Sequence, residues 1–238
     1  FRVLGPPDAF DLEKLKSFGN HHRLEIWLQS KGPDSIQLIH PAESALSYRL
    51  RDFALDYPFR PTDFTQVNHL VNEVLVRKAV KLLDLNVEDE VLDLFCGLGN
   101  FSLAIASIAA RVTGVEGSET LIRRAQTIAV SQGLSSRVNF VTANLFTLSD
   151  DHWLAFRRFK KILIDPPREG AQQVCELIAK QASKPGRIVY ISCNPATLAR
   201  DAAILVHQAD YILESAGVAN MFPQTSHVES VAVFTRSE

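Results

Sequence analysis

From about residue 86 to its end the chain keeps one rhythm, strand then helix, and this most limits its fold. Short apolar runs stand at 91–95, 112–116, 138–141, 161–165, 187–191, 211–218 and 228–235. Helical stretches begin near Phe101, Ser118, Ala171 and Pro195. A parallel strand pair needs a long crossover, which a helix supplies, and strands covered on both faces read as continuous apolar runs. The alternation therefore predicts an α/β fold, a seven-stranded, mostly parallel, doubly wound sheet with helices on both faces. With 238 residues, 46% of them hydrophobic, a large core is within reach.

Residues 1–60 read differently. A short helix is expected over 8–18, and polar–apolar alternation marks half-buried strands at 23–28 and 35–39. A further strand pair is expected around 46–50 and 53–57. The division expected is a small α+β region, 1–60, as the remnant of a larger domain, followed by an α/β domain, 61–238. At the join, Val67, Leu70, Val71, Val74, Leu75, Ala79 and Leu82 recur at helical spacing, and an amphipathic helix with that apolar face is predicted.

Three strand ends carry the candidate chemistry. Phe95-Cys96-Gly97-Leu98-Gly99-Asn100 is a glycine turn that lets backbone approach a ligand. A dinucleotide fingerprint would place a third glycine at 102, where Ser102 stands, and this weighs against a hydride-transfer enzyme. Glu116 ends the next strand, where an acid can accept ribose hydroxyls. Turn and acid together favour S-adenosylmethionine. Finally, Cys193 lies between a strand and a helix whose cap is Asn194 and whose first residue is Pro195. The positive end of that helix is expected to lower the thiol's pKa and favour a nucleophilic thiolate.

The string Ser192-Cys193-Asn194-Pro195-Ala196-Thr197-Leu198-Ala199-Arg200-Asp201 resembles the nucleophile motif of the RNA uracil-5-methyltransferases, which form 5-methyluridine in rRNA and tRNA. The resemblance covers roughly residues 58–238. It includes Phe64-Thr65-Gln66, Asp165-Pro166-Pro167-Arg168 and His227-Val228-Glu229. Gln66-Val67-Asn68, Asp93-Leu94-Phe95-Cys96-Gly97 and Met221-Phe222-Pro223 bring it nearest the bacterial 23S rRNA branch. It implies a Rossmann-like, S-adenosylmethionine-dependent methyltransferase fold whose seventh strand runs antiparallel. It also implies that Gln66, Phe95, Asn100, Glu116, Asn144 and Asp165 bind the methyl donor. Cys193 would add to carbon 6 of uracil and Glu229 would remove the carbon 5 proton, with His227 as the alternative base. Arg168 could steady developing negative charge, and Phe222 could stack on a base.

By the same resemblance the expected cofactor is S-adenosylmethionine, without a metal in this chain. An iron–sulfur cluster would belong to a region before Phe1. RNA is the expected partner, rRNA ahead of tRNA, in the cytoplasm, with the protein a monomer. The alternatives are the tRNA member of the family, a non-catalytic RNA-binding module and a nicotinamide oxidoreductase. A net charge of −2 leaves RNA attraction to local clusters such as Arg49/Arg51/Arg60, Arg123/Arg124 or Arg157/Arg158/Lys160/Lys161. Three widely spaced cysteines suit a reducing compartment, and no stretch is long and apolar enough to span a membrane as a helix.

Overall fold

Seven strands form the central sheet of a computed structural model that describes residues 1–236. They are β5 (Glu90–Leu94), β6 (Arg111–Glu116), β7 (Val138–Thr142), β8 (Lys161–Ile164), β9 (Arg187–Ser192), β10 (Ile212–Ala219) and β11 (Glu229–Thr235). Their spatial order is β10-β11-β9-β8-β5-β6-β7. The four pairings from β9 to β7 are parallel, whereas β11 is antiparallel to both β9 and β10. The expected mostly parallel sheet and its reversed last strand are both present.

The helices between these strands are α3 (Ser102–Ala106), α4 (Glu119–Ser131), α5 (Asp150–Trp153), α6 (Gln172–Lys180) and α7 (Pro195–Gln208). Leu92, Leu94, Ile162, Ile164, Ile188, Tyr190, Ala232 and Phe234 alternate along four strands and share one core with Trp153, Val174, Leu177 and Leu205. Their neighbours Val91, Leu163, Val189 and Val233 are equally buried on the other face. Burial on both faces explains why these strands read as unbroken apolar runs.

The chain divides into two compact units: Phe1–Tyr48 with Tyr57–Thr65, and Arg49–Asp56 with Gln66 onward. In the first, α1 (Ala9–His22) starts where the Asp8 carboxylate accepts the Asp11 N–H at 2.8 Å. It runs past the expected stop at Phe18 and through Gly19, where a Cβ would come within 2.8 Å of His40 and Ile26. Gly19 is thus a close-packing position rather than a breaker. β1 (Ile26–Gln29) pairs antiparallel with β2 (Ile36–His40). β3 (Ser47–Leu50) pairs with β4 (Leu55–Pro58), and the Tyr48 and Tyr57 rings stack at 4.8 Å.

In the second unit α2 (His69–Leu82) is capped by Asn68, whose Oδ1 accepts the Val71 N–H at 3.2 Å. Its buried face differs from the expected one. Asn72, Leu75, Val76, Ala79 and Val80 are buried, while Val67, Leu70 and Val74 are exposed. The stripe is rotated so that Asn72 can meet Asn100: the two side-chain amides bond reciprocally, at 3.0 and 3.1 Å. That pair satisfies polar groups that would otherwise be costly to bury.

Candidate active site

The parallel register brings the carboxyl ends of four strands to one rim. Leu94 lies beside Val115 and Ile164, and Ile164 beside Tyr190. The next residues, Phe95, Glu116, Asp165 and, beyond Ser192, Cys193, therefore crown the sheet. Because β11 is antiparallel and pairs Ser230 with Ser192, Glu229 stands one step on, across from Cys193. Binding sites of doubly wound sheets form at this rim.

The glycine turn is built on reversed backbone. Phe95, Gly97 and Gly99 all have positive φ, at 65, 54 and 84°. Nothing lies within 4 Å of where a Cβ at Gly97 would sit, so this stretch of backbone faces open space. The Gly97 N–H donates to Glu116 Oε2 at 3.2 Å and the Ser118 N–H to Oε1 at 2.9 Å. Glu116 thereby ties the turn to the start of α4. Ser102, read as a missing glycine, has its own use: its hydroxyl donates to the buried Asp93 carboxylate at 2.5 Å. Asp93 Oδ1 has no partner, although it is fully enclosed.

The rim gathers like charge. Burial pushes Asp165 up to about 7. Burial, and then the Asp165 charge, push Glu229 up to about 8. Asp93 is pushed up to about 7, chiefly by burial, with Asp165 and Glu116 adding to it and the Ser102 hydrogen bond opposing it. Three carboxyls that resist ionising side by side suit a cationic ligand, whose charge would relieve both the crowding and the unpartnered oxygen.

Cys193 corrects one expectation. Its thiol is raised, not lowered: burial acts first, then the negative fields of Glu229 and Asp165, against which Arg168 and the local backbone pull down. The helix end is present as expected, with Asn194 accepting the Ala196 N–H at 3.1 Å and Pro195 at the first turn. Two carboxyls and partial burial outweigh it.

The remaining candidates sit further out. Gln66 is half-buried, two residues ahead of the Asn68 cap. Asn100 is engaged with Asn72. Asn144 is exposed after β7, where its Oδ1 accepts the Phe146 N–H at 3.0 Å. Phe95 and Phe146 face each other at 5.5 Å, which adds a second aromatic ring to that side of the rim. His227 is exposed, with its ring edge-on to Phe222 at 5.9 Å, whereas Glu229 is only 3% exposed.

Residues 44–237 match the family described as tRNA (Uracil-5-)-methyltransferase. The chain belongs to the tRNA (uracil-5-)-methyltransferase family. Among curated proteins, the 23S rRNA (uracil(1939)-C(5))-methyltransferase RlmD of Ralstonia nicotianae is 50% identical over 244 residues, covering 99% of this chain and 54% of the relative. Its counterpart from Cupriavidus metallidurans is 51% identical over 240 residues, covering 99% and 52%. The chain thus spans about half the length of these relatives. Among solved structures, the Pyrococcus abyssi tRNA (uracil-54, C5)-methyltransferase in complex with S-adenosyl-L-homocysteine superposes with a TM-score of 0.72 at 29% identity, covering 89% of this chain and 50% of that one. The fold is that of the Rossmann-like methyltransferases.

In this member of the tRNA (uracil-5-)-methyltransferase family, sequence reading overlooked Asn72, the Ser102–Asp93 bond and Phe146. The signal for Asn72 was a polar residue three and four positions before Leu75 and Val76. The basic clusters proposed for RNA are largely committed elsewhere: Arg51 pairs with Glu73 at 3.0 Å, Arg123 with Glu119 at 2.8 Å, Arg158 with Glu90 at 3.5 Å and Lys161 with Asp89 at 2.8 Å. Such pairs reduce the free positive charge those surfaces can offer.

Proposed function

We propose that this chain is the catalytic part of an RNA uracil-5-methyltransferase that acts on a uridine of 23S rRNA. The observation that carries the reading is the juxtaposition of a half-buried cysteine and a buried glutamate on adjacent strands of opposite direction, Cys193 and Glu229. The 23S substrate follows the names of relatives at 50% identity over nearly the whole chain.

S-adenosylmethionine would supply an electrophilic methyl group on a positively charged sulfur. The residues fit such a ligand. The unpartnered Asp93 oxygen and the crowded Asp165 suit its positive charge, and the open backbone at Gly97 admits close approach. Gln66, Phe95, Asn100, Glu116, Asn144 and Asp165 would hold it, with Glu116, already bonded by the Gly97 and Ser118 N–H groups, offering the remaining lone pairs of its carboxylate to ribose hydroxyls.

Carbon 5 of uracil is a poor nucleophile. In the proposed chemistry the Cys193 thiolate adds to carbon 6, and the electron pair of the carbon 5–carbon 6 double bond moves into an enolate. Carbon 5 would then take the methyl group, the sulfur–methyl bond breaking with its electron pair left on the departing neutral thioether. Glu229 removes the carbon 5 proton, the double bond re-forms and the carbon–sulfur bond to Cys193 breaks. A carboxylate held near 8 is a far stronger base than a solvated one and still ionises close to neutral pH. A uridine within folded RNA must leave its stack to reach Cys193, at a cost of a few kcal/mol.

Isotope-labelled S-adenosylmethionine with 23S rRNA and tRNA transcripts tests this reading. Labelled 5-methyluridine in the rRNA alone supports it. Label in tRNA alone would favour the second reading, a tRNA substrate, for which the Pyrococcus likeness speaks. No label in either would remove the activity.

A further inference from the structure

The loop after β8, from Asp165 to Ala171, is fastened to α7 by a network the proposed chemistry does not use. Asn194 Nδ2 and Thr197 Oγ1 both donate to the Arg168 carbonyl, at 3.1 and 3.3 Å. Arg200 Nη2 donates to the Glu169 carbonyl at 2.8 Å. Asp201 is fully buried, and its Oδ2 accepts the Ala171 N–H at 2.7 Å and the Tyr190 hydroxyl at 2.6 Å. Its Oδ1 accepts the Arg200 Nε at 2.8 Å, so both oxygens are satisfied.

The joint leaves no slack. Gly170 has φ +78°, and a Cβ there would meet Arg200 Nη2 at 2.5 Å and Asp201 Oδ2 at 2.7 Å. The same helix begins at the Cys193 turn, where Ser192 Oγ accepts the Asn194 N–H at 3.1 Å. One element therefore carries the sulfur just ahead of its cap and holds the Arg168 loop along its cap and first two turns.

We propose that Arg200 and Asp201 are positioning residues that lock the Asp165–Ala171 loop to the nucleophile helix and so keep Arg168, whose carbonyl is bonded by the residue next to the cysteine, beside the Cys193 turn. The role assigned to the sulfur rests on the function proposed above; the fastening itself does not. The groups that face the sulfur are Glu229 from β11, Asp165 and Arg168 from the loop, and the amino end of α7. Arg168 is the one side chain of these that favours the thiolate. Arg168 is exposed, so the anchoring of its backbone is what keeps its charge near the sulfur; freeing that backbone lets the charge move away, and its effect falls with distance and screening.

The test is the pH dependence of iodoacetamide alkylation on the full chain, which needs neither RNA nor methyl donor. It reads Cys193, because Cys96 and Cys175 are buried. Arg168→Ala sets the full effect. Arg200→Met should move the midpoint upward by a sizeable part of that shift, on the order of half a pH unit. Arg200→Lys should restore most of it, and Arg168→Ala with Arg200→Met should shift no further than Arg168→Ala alone. Thr197→Val, a milder change, should shift the midpoint less, in the same direction. Profiles for Arg200→Met and Thr197→Val that overlay the wild type, or shifts that add in the double variant, would overturn the proposal even with a lowered melting temperature. If Arg200→Met fails to fold, the Thr197→Val profile decides alone. Absence of methyl transfer by the wild type, with these shifts intact, would instead count against the function.

Discussion

Cys96 and Cys193 occupy matching places in the chain. Each follows a parallel strand end and precedes a helix, and each thiol is raised. Their surroundings differ. Cys96 is sealed under the glycine turn, so close to β6 that a Cβ at Gly114 would approach its sulfur to 2.9 Å. Its helix, α3, has five residues and no side-chain cap. Cys193 is half-buried, opens a fourteen-residue helix capped by Asn194, and has an arginine among its neighbours. A strand–turn–helix with cysteine does not by itself make a nucleophile. Tertiary neighbours, here β11 and the loop after β8, decide which sulfur can react.

The largest effect that could break this contrast is on turnover. Cys193→Ala should lower methyl transfer by roughly 10⁴-fold or more, as loss of a covalent nucleophile does, whereas Cys96→Ala should retain activity within about 10-fold. Equal losses in steady-state assays would erase the distinction. Next comes Glu229→Gln, expected to slow turnover by about 10² to 10⁴-fold and to leave RNA bound covalently to protein on a denaturing gel. Full turnover with no retained RNA would pass the role to His227.

The glycine-turn side should respond in stability rather than in sulfur chemistry. Ser102→Ala removes the hydroxyl donor to a buried carboxylate, leaving the Ser102 backbone N–H, and should cost about 1–3 kcal/mol in denaturant unfolding. The Cys193 alkylation profile should not change; a shift there would join the two turns more closely than their separate networks suggest. The smallest effect is on pH. Glu229, Asp93 and Asp165 hold protons in the folded chain up to about 8, 7 and 7, which the unfolded chain releases near 4. That stabilisation is complete at low pH and is lost as pH rises through 7 and 8. Melting temperature should therefore fall between pH 5.5 and 8.5, and Glu229→Gln should flatten the fall.

The order of strands and helices was legible because parallel strands buried on both faces leave unbroken apolar runs, and because Asn68, Ser118 and Asn194 announce helix starts. The eight site candidates were legible mostly through motif likeness. What the sequence hid was tertiary. The rotation of α2 depended on Asn72 finding Asn100, 28 positions away in the chain though adjacent in space. The sign of the Cys193 shift depended on Glu229 and Asp165 arriving from other strands. Ser102 looked like a lost glycine until Asp93 lay beside it.

The most direct test of the central claim is to map where 5-fluorouridine-containing rRNA becomes attached. Fluorine at carbon 5 cannot leave as a proton, so an adduct formed by addition at carbon 6 persists after methyl transfer. Mass spectrometry of the digested complex should find the nucleotide on the peptide carrying Cys193, and Cys193→Ala should abolish it. Attachment at Cys96, or an adduct undiminished in Cys193→Ala, would contradict the account.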